Sequence, residues 1–279
     1  MRDLQELTRH VCDIARQAGA YIRNEREGFS ADKVERKHAH DYVSYVDKNS
    51  ERLIVAALHA LLPEAGFITE EGTAAAADGQ SAASGTQQLW IVDPLDGTTN
   101  FIHGYAPYAV SIALAEGSTI LVGVVLDVSS GECFYAWQGG GAYCENRDAS
   151  GEVVSQTTLR VGSSSVSDSL LCLQLPYNSD AYKPVIQQLI GHFYGRAASI
   201  RMIGSAAIAL CYVACGRLDG YAEQYLGRWD FMAGALIVRE AGGTVTDYSG
   251  SSNLLAGNSV IAANPAVHAE LLAACREAV

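Results

Sequence analysis

Trp90-Ile91-Val92-Asp93-Pro94-Leu95-Asp96-Gly97-Thr98-Thr99-Asn100-Phe101 is the stretch on which the reading of this chain turns. Leu89 to Val92 is an apolar run of the length of a buried strand. It stops at two carboxylates three residues apart and split by Pro94, so Asp93 and Asp96 can point into one space beyond the strand end. There, mutual repulsion raises a pKa unless cations are present. Hard oxygen donors with no thiolate or imidazole among them select Mg²⁺, Mn²⁺ or Ca²⁺ over zinc. Directly afterwards, Gly97-Thr98-Thr99 supplies backbone N–H groups at a tight turn that opens a helix, which favours an anionic oxygen. Carboxylates for cations beside amides for an anion describe a metal-bridged phosphate site.

Two more acidic clusters sit where an element ends or begins. Glu70-Glu71 follows the short strand Phe67-Ile68-Thr69, and Asp230 follows Trp229 at the start of an apolar helix. Each has a structural reading of its own, Asp93-Pro94 as a turn and Asp230 as a dipole-stabilised cap. Caps do not account for all three together. As for a nucleophile, the chain has no GxSxG elbow, no GxxxxGK[ST] loop and no CxxC, and Gly139-Gly140-Gly141 follows a strand without opening a helix, so it reads as a hairpin turn. Water activated between metal ions remains. The residues alone therefore point to phosphate-monoester hydrolysis.

The chain around these motifs is long enough for a real core. It has 279 residues, 49% of them hydrophobic, and at that size should bury about three quarters of its unfolded surface without disulfides. Lys and Arg number 19 against 31 Asp and Glu, a net −12, which argues against nucleic acid or anionic lipid as partners. Charges at Arg2, Asp3, Glu6, Arg9, Asp13 and Arg16 exclude a signal peptide, and no apolar run reaches the roughly 18 residues of a membrane span. A cytoplasmic protein is expected. Seven cysteines without a CxxC pair read as buried reduced thiols.

Leu4, Leu7, Val11, Ile14, Ala18 and Tyr21 with Ile22 predict an amphipathic N-terminal helix, and Leu53 to Leu62 the buried stripe of a second, from about Asp47 to Leu62. Between them, 28–41 has the composition of a mobile loop, with Lys37, His38 and His40; two histidines without a third ligand read as solvated. The Ala/Gly/Ser-rich 73–88 reads as flexible. Strands 109–114, 120–128 and 132–137 form an antiparallel meander. After about 150 the pattern changes to short strands near 159–161 and 170–175, helices 181–193, 205–215 and 231–241, strand 260–262 and helix 265–278. This suggests two parts of one compact unit: 1–150, with helices, sheet and the main metal site, and 151–279, with Asp230 and the substrate contacts.

The motifs resemble those of the Mg²⁺-dependent, lithium-sensitive phosphatases of the inositol monophosphatase family. The stretch from Trp90 to Phe101 carries the resemblance, with Glu70-Glu71 upstream and Trp229-Asp230, Ala233-Gly234 and Glu240-Ala241-Gly242-Gly243 downstream, across about 30 to 265. The resemblance implies an α+β (α/β) fold, a layered αβαβα sandwich of the inositol monophosphatase and fructose-1,6-bisphosphatase type, usually a homodimer, with two to three Mg²⁺ ions that Mn²⁺ can replace. By position, Glu70, Asp93 and the Leu95 carbonyl match ligands of a first metal, Asp93, Asp96 and Asp230 those of a second, and Glu70 also a third. Thr98 with Asp47 resembles the pair that orients and deprotonates the attacking water, making Glu70, Asp47 and Thr98 the catalytic set. Asp47 has a helix N-cap reading as well. On the substrate side, Gly97 and Thr98 amides match phosphate donors, Gly204-Ser205-Ala206 a family Gly-Thr-Ala segment, and Glu223, seven residues before Asp230, a carboxylate that accepts from ring hydroxyls; Asp93 and Asp230 complete the set. Arg228 reads as surface, and His103 as a structural donor near the site.

Thr99-Asn100-Phe101 resembles the inositol phosphate group, whereas relatives acting on 3′-phosphoadenosine nucleotides or histidinol phosphate usually have Lys after the first Thr. The expected substrate is a small phosphorylated polyol or sugar, with inositol monophosphate first and fructose 1,6-bisphosphate, histidinol phosphate and 3′-phosphoadenosine nucleotides as alternatives. A different class of role is a regulatory protein-binding one, as in bacterial proteins of this fold that engage the transcription or translation machinery; the acidic balance allows basic protein partners.

Overall fold

The computed structural model describes residues 3–29, 34–38, 41–74, 88–176 and 179–279. Helix α1, Leu4–Glu27, begins where Asp3 accepts the Gln5 and Glu6 N–H groups, and its buried stripe runs Leu7, Val11, Ile14, Ala15, Ala18, Ile22. Helix α2, Tyr45–Leu61, starts two residues earlier than the apolar stripe suggested. Ser44 takes the cap position expected of Asp47, and Asp47 reaches back to it from the third helical position, a capping box. Between the helices, β1 (Val34–His38) and β2 (Asp41–Ser44) pair as an antiparallel ribbon where a mobile loop was expected. Its mostly charged and polar sequence offers no sustained apolar alternation for a pattern to reveal. His40 and most of the Ala/Gly/Ser-rich stretch, 75–87, lie outside the described residues.

Seven strands form the larger sheet in sequence order: β3 (Gly66–Thr69), β4 (Gln88–Asp96), β5 (Ala109–Glu116), β6 (Thr119–Asp127), β7 (Cys133–Trp137), β8 (Gly141–Arg147) and β9 (Val153–Thr158). Only β3 and β4 run parallel, which places the ends of both, and so Glu70 and Asp93, at one edge of the sheet. The expected hairpin at Gly139-Gly140-Gly141 joins β7 to β8, closed by the Gly140 N–H on the Trp137 carbonyl. β9 was missed because all six of its residues are exposed and leave no alternation to read. Leu159–Val161 is not a strand; its amides donate singly to Ala142 and Ala241 carbonyls.

The smaller sheet has the order β11 (Ser199–Arg201), β10 (Leu170–Leu173), β12 (Gly220–Gln224), β14 (Ser259–Ala263), β13 (Thr244–Thr246). β10 is parallel to β11 and β12, and β14 is antiparallel to both its neighbours. Alternation along the strands sets the layers. Trp90, Val92, Val110, Ile112, Val122 and Val124 face α1 and α2 on the outside. Ile91, Ala113, Val125 and Phe134 face inward onto α5 (Ala206–Ala214) and α6 (Arg228–Glu240), which also cover Cys172, Tyr221, Val260 and Ala262 of the smaller sheet. The far face of that sheet, Leu171, Leu173, Ala222 and Ile261, packs on α4 (Ser179–Phe193) and α7 (Pro265–Ala278). The order is αβαβα. The middle layer fits because its contacts are small: a Cβ on Gly123 of β6 would stand 2.6 Å from the Ala233 carbonyl oxygen of α6. Among the described residues no helix is long and apolar enough to cross a membrane.

Candidate active site

The middle helices deliver their N-termini to the open ends of both sheets, and the site forms there. β4 ends on Asp93 and Asp96, α6 opens with Asp230 at its third position, and one oxygen from each of the three carboxyl groups lies within 4.8 Å of the others. Asp93 and Asp96 are buried and Asp230 is half-buried. Among the described residues none of the three is ion-paired with a lysine, arginine or histidine. Burial drives the Asp93 and Asp230 carboxyls well above the ordinary range, and the charges of Glu70 and Asp96 push the same way on both. Burial also lifts Asp96 to about 6, against hydrogen bonds that favour its charged form.

Each carboxylate is held from behind. Asp93 Oδ1 accepts the Leu95 N–H at 3.0 Å across the Pro94 turn, and Ser50 of α2 donates to the Pro94 carbonyl at 3.0 Å. Asp96 Oδ2 accepts from Ser205 Oγ at 2.5 Å and from the Ala207 N–H at 2.9 Å, tying the end of β4 to the start of α5. The Ser205 hydroxyl is thus committed to Asp96. Asp230 Oδ2 accepts the Gly227 N–H at 2.6 Å.

Glu70, at the end of β3, lines the same cavity as Asp96 and Asp230. What sets its position was not foreseen from the sequence. Glu51 of α2, wholly buried, accepts the Glu71 N–H at 2.7 Å through Oε2, and the Thr73 N–H at 2.6 Å and Thr69 hydroxyl at 3.0 Å through Oε1. It pins both sides of Glu70. A carboxylate within the buried stripe of α2, one turn after Asp47, is the sequence signal that marks it. Glu71, read as part of the cluster, does not line the cavity.

Asp47 and Thr98 meet as expected: Thr98 Oγ1 lies 2.9 Å from Asp47 Oδ1 and 3.0 Å from the Leu95 carbonyl oxygen, one proton between two acceptors. The other Asp47 oxygen takes the Ser44 hydroxyl at 2.6 Å and the Ser44 N–H at 2.9 Å, so Asp47 serves the cap and the site together. Thr98 begins α3 (Thr98–His103) after Gly97, whose φ of 85° is left-handed. A Cβ there would lie 3.1 Å from the Gly204 carbonyl oxygen, so glycine answers both the conformation and the close approach. Asn100 fixes that approach, donating from Nδ2 to the Pro107 and Ile203 carbonyls at 2.8 and 2.9 Å. His103 is exposed at the end of α3 and its side chain makes no hydrogen bond among the described residues, so it is not the structural donor expected. Arg228 is exposed, as expected. The side chain of His38 and all of His40 lie outside the description.

These elements enclose a cavity of about 390 Å³. Gly97, Gly204, Ala206 and Glu223 line it with Glu70, Asp96 and Asp230, as do Gln174 and Tyr225, which the sequence did not single out, while Asp93 lies behind its wall. Glu223 is buried and accepts the Tyr221 hydroxyl at 2.6 Å; burial pushes it up to about 8. Tyr225 has a φ of 65°, a conformation glycine prefers, and nothing in a tyrosine's identity announces that. Phosphate-sized anions, a hydroxylated ring and cations can be served by such a chamber.

A family model described as inositol monophosphatase family matches residues 3–279. The chain belongs to that family. Among the relatives, "Nus factor SuhB" of Pseudomonas aeruginosa is 39% identical over 94% of this chain and 92% of its own. "Inositol-1-monophosphatase" of Mesorhizobium japonicum is 37% identical over 85% of this chain and 84% of its own. The crystal structure of extragenic suppressor protein suhB from Bartonella henselae superposes with a TM-score of 0.82 at 32% identity, over 97% of this chain and 98% of that one. Membership confirms the αβαβα fold type and supports phosphatase activity, and the Asp93, Asp96 and Asp230 cluster is one that could hold a metal ion.

Proposed function

We propose that the protein hydrolyses phosphate monoesters with Mg²⁺, most directly inositol monophosphate to inositol and phosphate. The observation that carries this is the convergence of Asp93, Asp96 and Asp230, the first two buried and the third half-buried, with no cationic side chain paired to them among the described residues, where Asp96 and Asp230 line the cavity that Glu223 also lines. Three hard oxygen donors that repel one another fit a divalent cation. Glu70, Asp93 and the Leu95 carbonyl would hold one Mg²⁺ or Mn²⁺, Asp93, Asp96 and Asp230 a second, and Glu70 a third. Bound there, the ions supply charge neutralisation for the phosphoryl oxygens and acidify water.

The chain's own groups do the rest. Thr98 Oγ1, held by Asp47 Oδ1, is the acceptor for the proton of the attacking water, passing its own to Asp47. Gly97 and Thr98 amides receive the phosphate. Gly204, Ala206 and Glu223 face the polyol, and Ser205 acts through Asp96. Substrates such as fructose 1,6-bisphosphate, histidinol phosphate or 3′-phosphoadenosine nucleotides are the alternatives. In this reading the protein is a cytoplasmic, lithium-sensitive homodimer without nucleic acid or membrane partners. A phosphate-release panel in Mg²⁺ tests it: inositol 1-phosphate is expected to lead, and turnover of histidinol phosphate or adenosine 3′,5′-bisphosphate far above it overturns the assignment.

The relatives named Nus factor support a second reading, a protein-binding role on the same fold. Capture of partners from a lysate separates the two, because a binding role is expected to survive Asp93→Asn.

A further inference from the structure

Gln174 follows β10 directly, and the Cα register of β10 with β12 pairs Cys172 with Tyr221 and Leu173 with Ala222. The next residues in that register are Gln174 and Glu223. The Gln174 N–H continues the ladder, donating to the Ala222 carbonyl at 3.3 Å. Both side chains therefore lie on the sheet face that looks toward the middle layer, side by side at the C-terminal ends of two parallel strands, where open α/β sheets receive ligands. Neighbouring strands are about 4.8 Å apart, close to the reach of two groups that share one small ligand.

The Gln174 side chain has one fixed orientation. Its Oε1 accepts the Ile203 N–H at 2.8 Å and the Gly204 N–H at 3.2 Å, and turning the amide over would set Nε2 against two donors. Nε2 is thereby left pointing away from the 203–204 segment, with no acceptor among the described residues. The residue is 4% exposed and lines the cavity, yet Nε2 is not among the sealed, orphaned polar atoms. A buried amide donor without a protein acceptor, on a residue of the cavity wall, asks for an acceptor from a ligand. Glu223 beside it already holds one hydroxyl donor, from Tyr221 on Oε2, and its other oxygen is left to accept.

We propose that Gln174 is a specificity-determining residue: its Nε2 donates to one hydroxyl oxygen of the substrate while Glu223 accepts from the neighbouring hydroxyl, so that the pair reads a vicinal diol on the leaving alcohol. This deepens the phosphatase reading and rests on it. The substrate class it selects is the phosphate monoester of a polyol with adjacent hydroxyls, over esters of alcohols that lack them.

The test compares kcat/KM for inositol 1-phosphate and for cyclohexyl phosphate, a ring of the same size without hydroxyls, in Mg²⁺. Gln174→Glu is the informative variant, because a carboxylate oxygen still accepts the Ile203 and Gly204 N–H groups while the donor is lost. The wild-type preference for the polyol ester is expected to fall about ten-fold or more in Gln174→Glu. An unchanged ratio, or equal losses on both esters, makes Gln174 a support for the 203–204 segment only and overturns the proposal. Absence of Mg²⁺-dependent turnover of both esters by the wild type overturns the phosphatase reading itself, a different result. If Gln174→Glu does not fold, monodeoxy inositol phosphates replace it on the wild type: removal of one of two adjacent hydroxyls is expected to cost about ten-fold, and no loss at any position overturns the proposal.

Discussion

Thr98 Oγ1 stands 2.9 Å from Asp47 Oδ1, and this one hydrogen bond joins the start of α3 to the first turn of α2 across 51 residues of chain. Asp47 arrives there because it completes the capping box with Ser44, so the feature that starts α2 also orients the Thr98 hydroxyl. Thr98→Ala is expected to lower kcat by about 10²-fold or more. Thr98→Ser should restore most of it. Equal kcat for wild type and Thr98→Ala in steady-state assays would remove Thr98 from the reaction.

Glu51 predicts a different signature, since it touches no substrate. Glu51→Gln replaces one of the two acceptor oxygens with a donor, set against either the Glu71 N–H that Oε2 accepts or the Thr73 N–H that Oε1 accepts, so the turn bearing Glu70 loosens. The Mg²⁺ concentration for half-maximal activity is expected to rise several-fold, with about 1–3 kcal/mol lost from stability. Mg²⁺ titrations of activity and denaturant unfolding check both; an unchanged Mg²⁺ requirement refutes the positioning role.

Charge in the site predicts how stability follows pH. Glu223 is raised from 4.5 to about 8 and Asp96 from 3.8 to about 6, chiefly by burial, and Asp93 and Asp230 move the same way. A raised pKa means that the folded state binds the proton more tightly than the unfolded one. That contribution is complete below the ordinary carboxylate range and is lost as pH rises through the folded values, here up to about 8. The metal-free protein should therefore melt higher at pH 5 than at pH 8, and Mg²⁺ should raise Tm more at pH 8. Calorimetry at the two pH values with and without Mg²⁺ decides; a larger Mg²⁺ effect at pH 5 contradicts this.

Tyr225 carries backbone strain in the cavity wall, and its ring meets Tyr182 edge-on with centroids 5.9 Å apart. Comparing Tyr225→Gly with Tyr225→Ala removes the ring in both and isolates the backbone. The glycine variant is expected to be the more stable by about 1 kcal/mol, since a left-handed residue with a Cβ pays roughly that. Thermal melts that place the alanine variant at or above the glycine variant would contradict the conformation.

The sequence exposed those parts of the molecule in which one local pattern serves one purpose. The apolar run into Asp93 and Asp96, the stripe of α1 and the helix after Asn264 each show their role in the order of residues. β1 with β2 stayed hidden because their mostly polar sequence leaves no period to detect, and β9 because all six of its residues are exposed. At the site, the carboxylates were legible because charge at the end of an apolar strand is unusual. Gln174 and Tyr225 were not, since what marks them is a partner elsewhere in the chain or a dihedral angle, and the one signal Glu51 leaves, a carboxylate within the stripe of α2, does not name the amides it holds. Ser205 shows what matching by position leaves out: the segment Gly204-Ser205-Ala206 was matched to substrate contacts, and the structure adds that the Ser205 hydroxyl is bonded to Asp96.

The net charge of −12 acquires a partial reason from the same site. Glu70, Asp96, Glu223 and Asp230, which line the cavity, with Asp93 beside Asp96 and Asp230 and Asp47 on Thr98, are six of the 31 acidic residues. Two Mg²⁺ ions would offset four of those charges, and a third two more.

Phosphate release from inositol 1-phosphate by wild type and Asp93→Asn tests the proposal that buried carboxylates at the end of β4 make this chain a Mg²⁺-dependent phosphatase. Mg²⁺-dependent release by the wild type is expected, with a loss of about 10³-fold or more in Asp93→Asn and the melting transition retained. Near wild-type release by Asp93→Asn, or none by the wild type with any of the candidate phosphate esters, would contradict it.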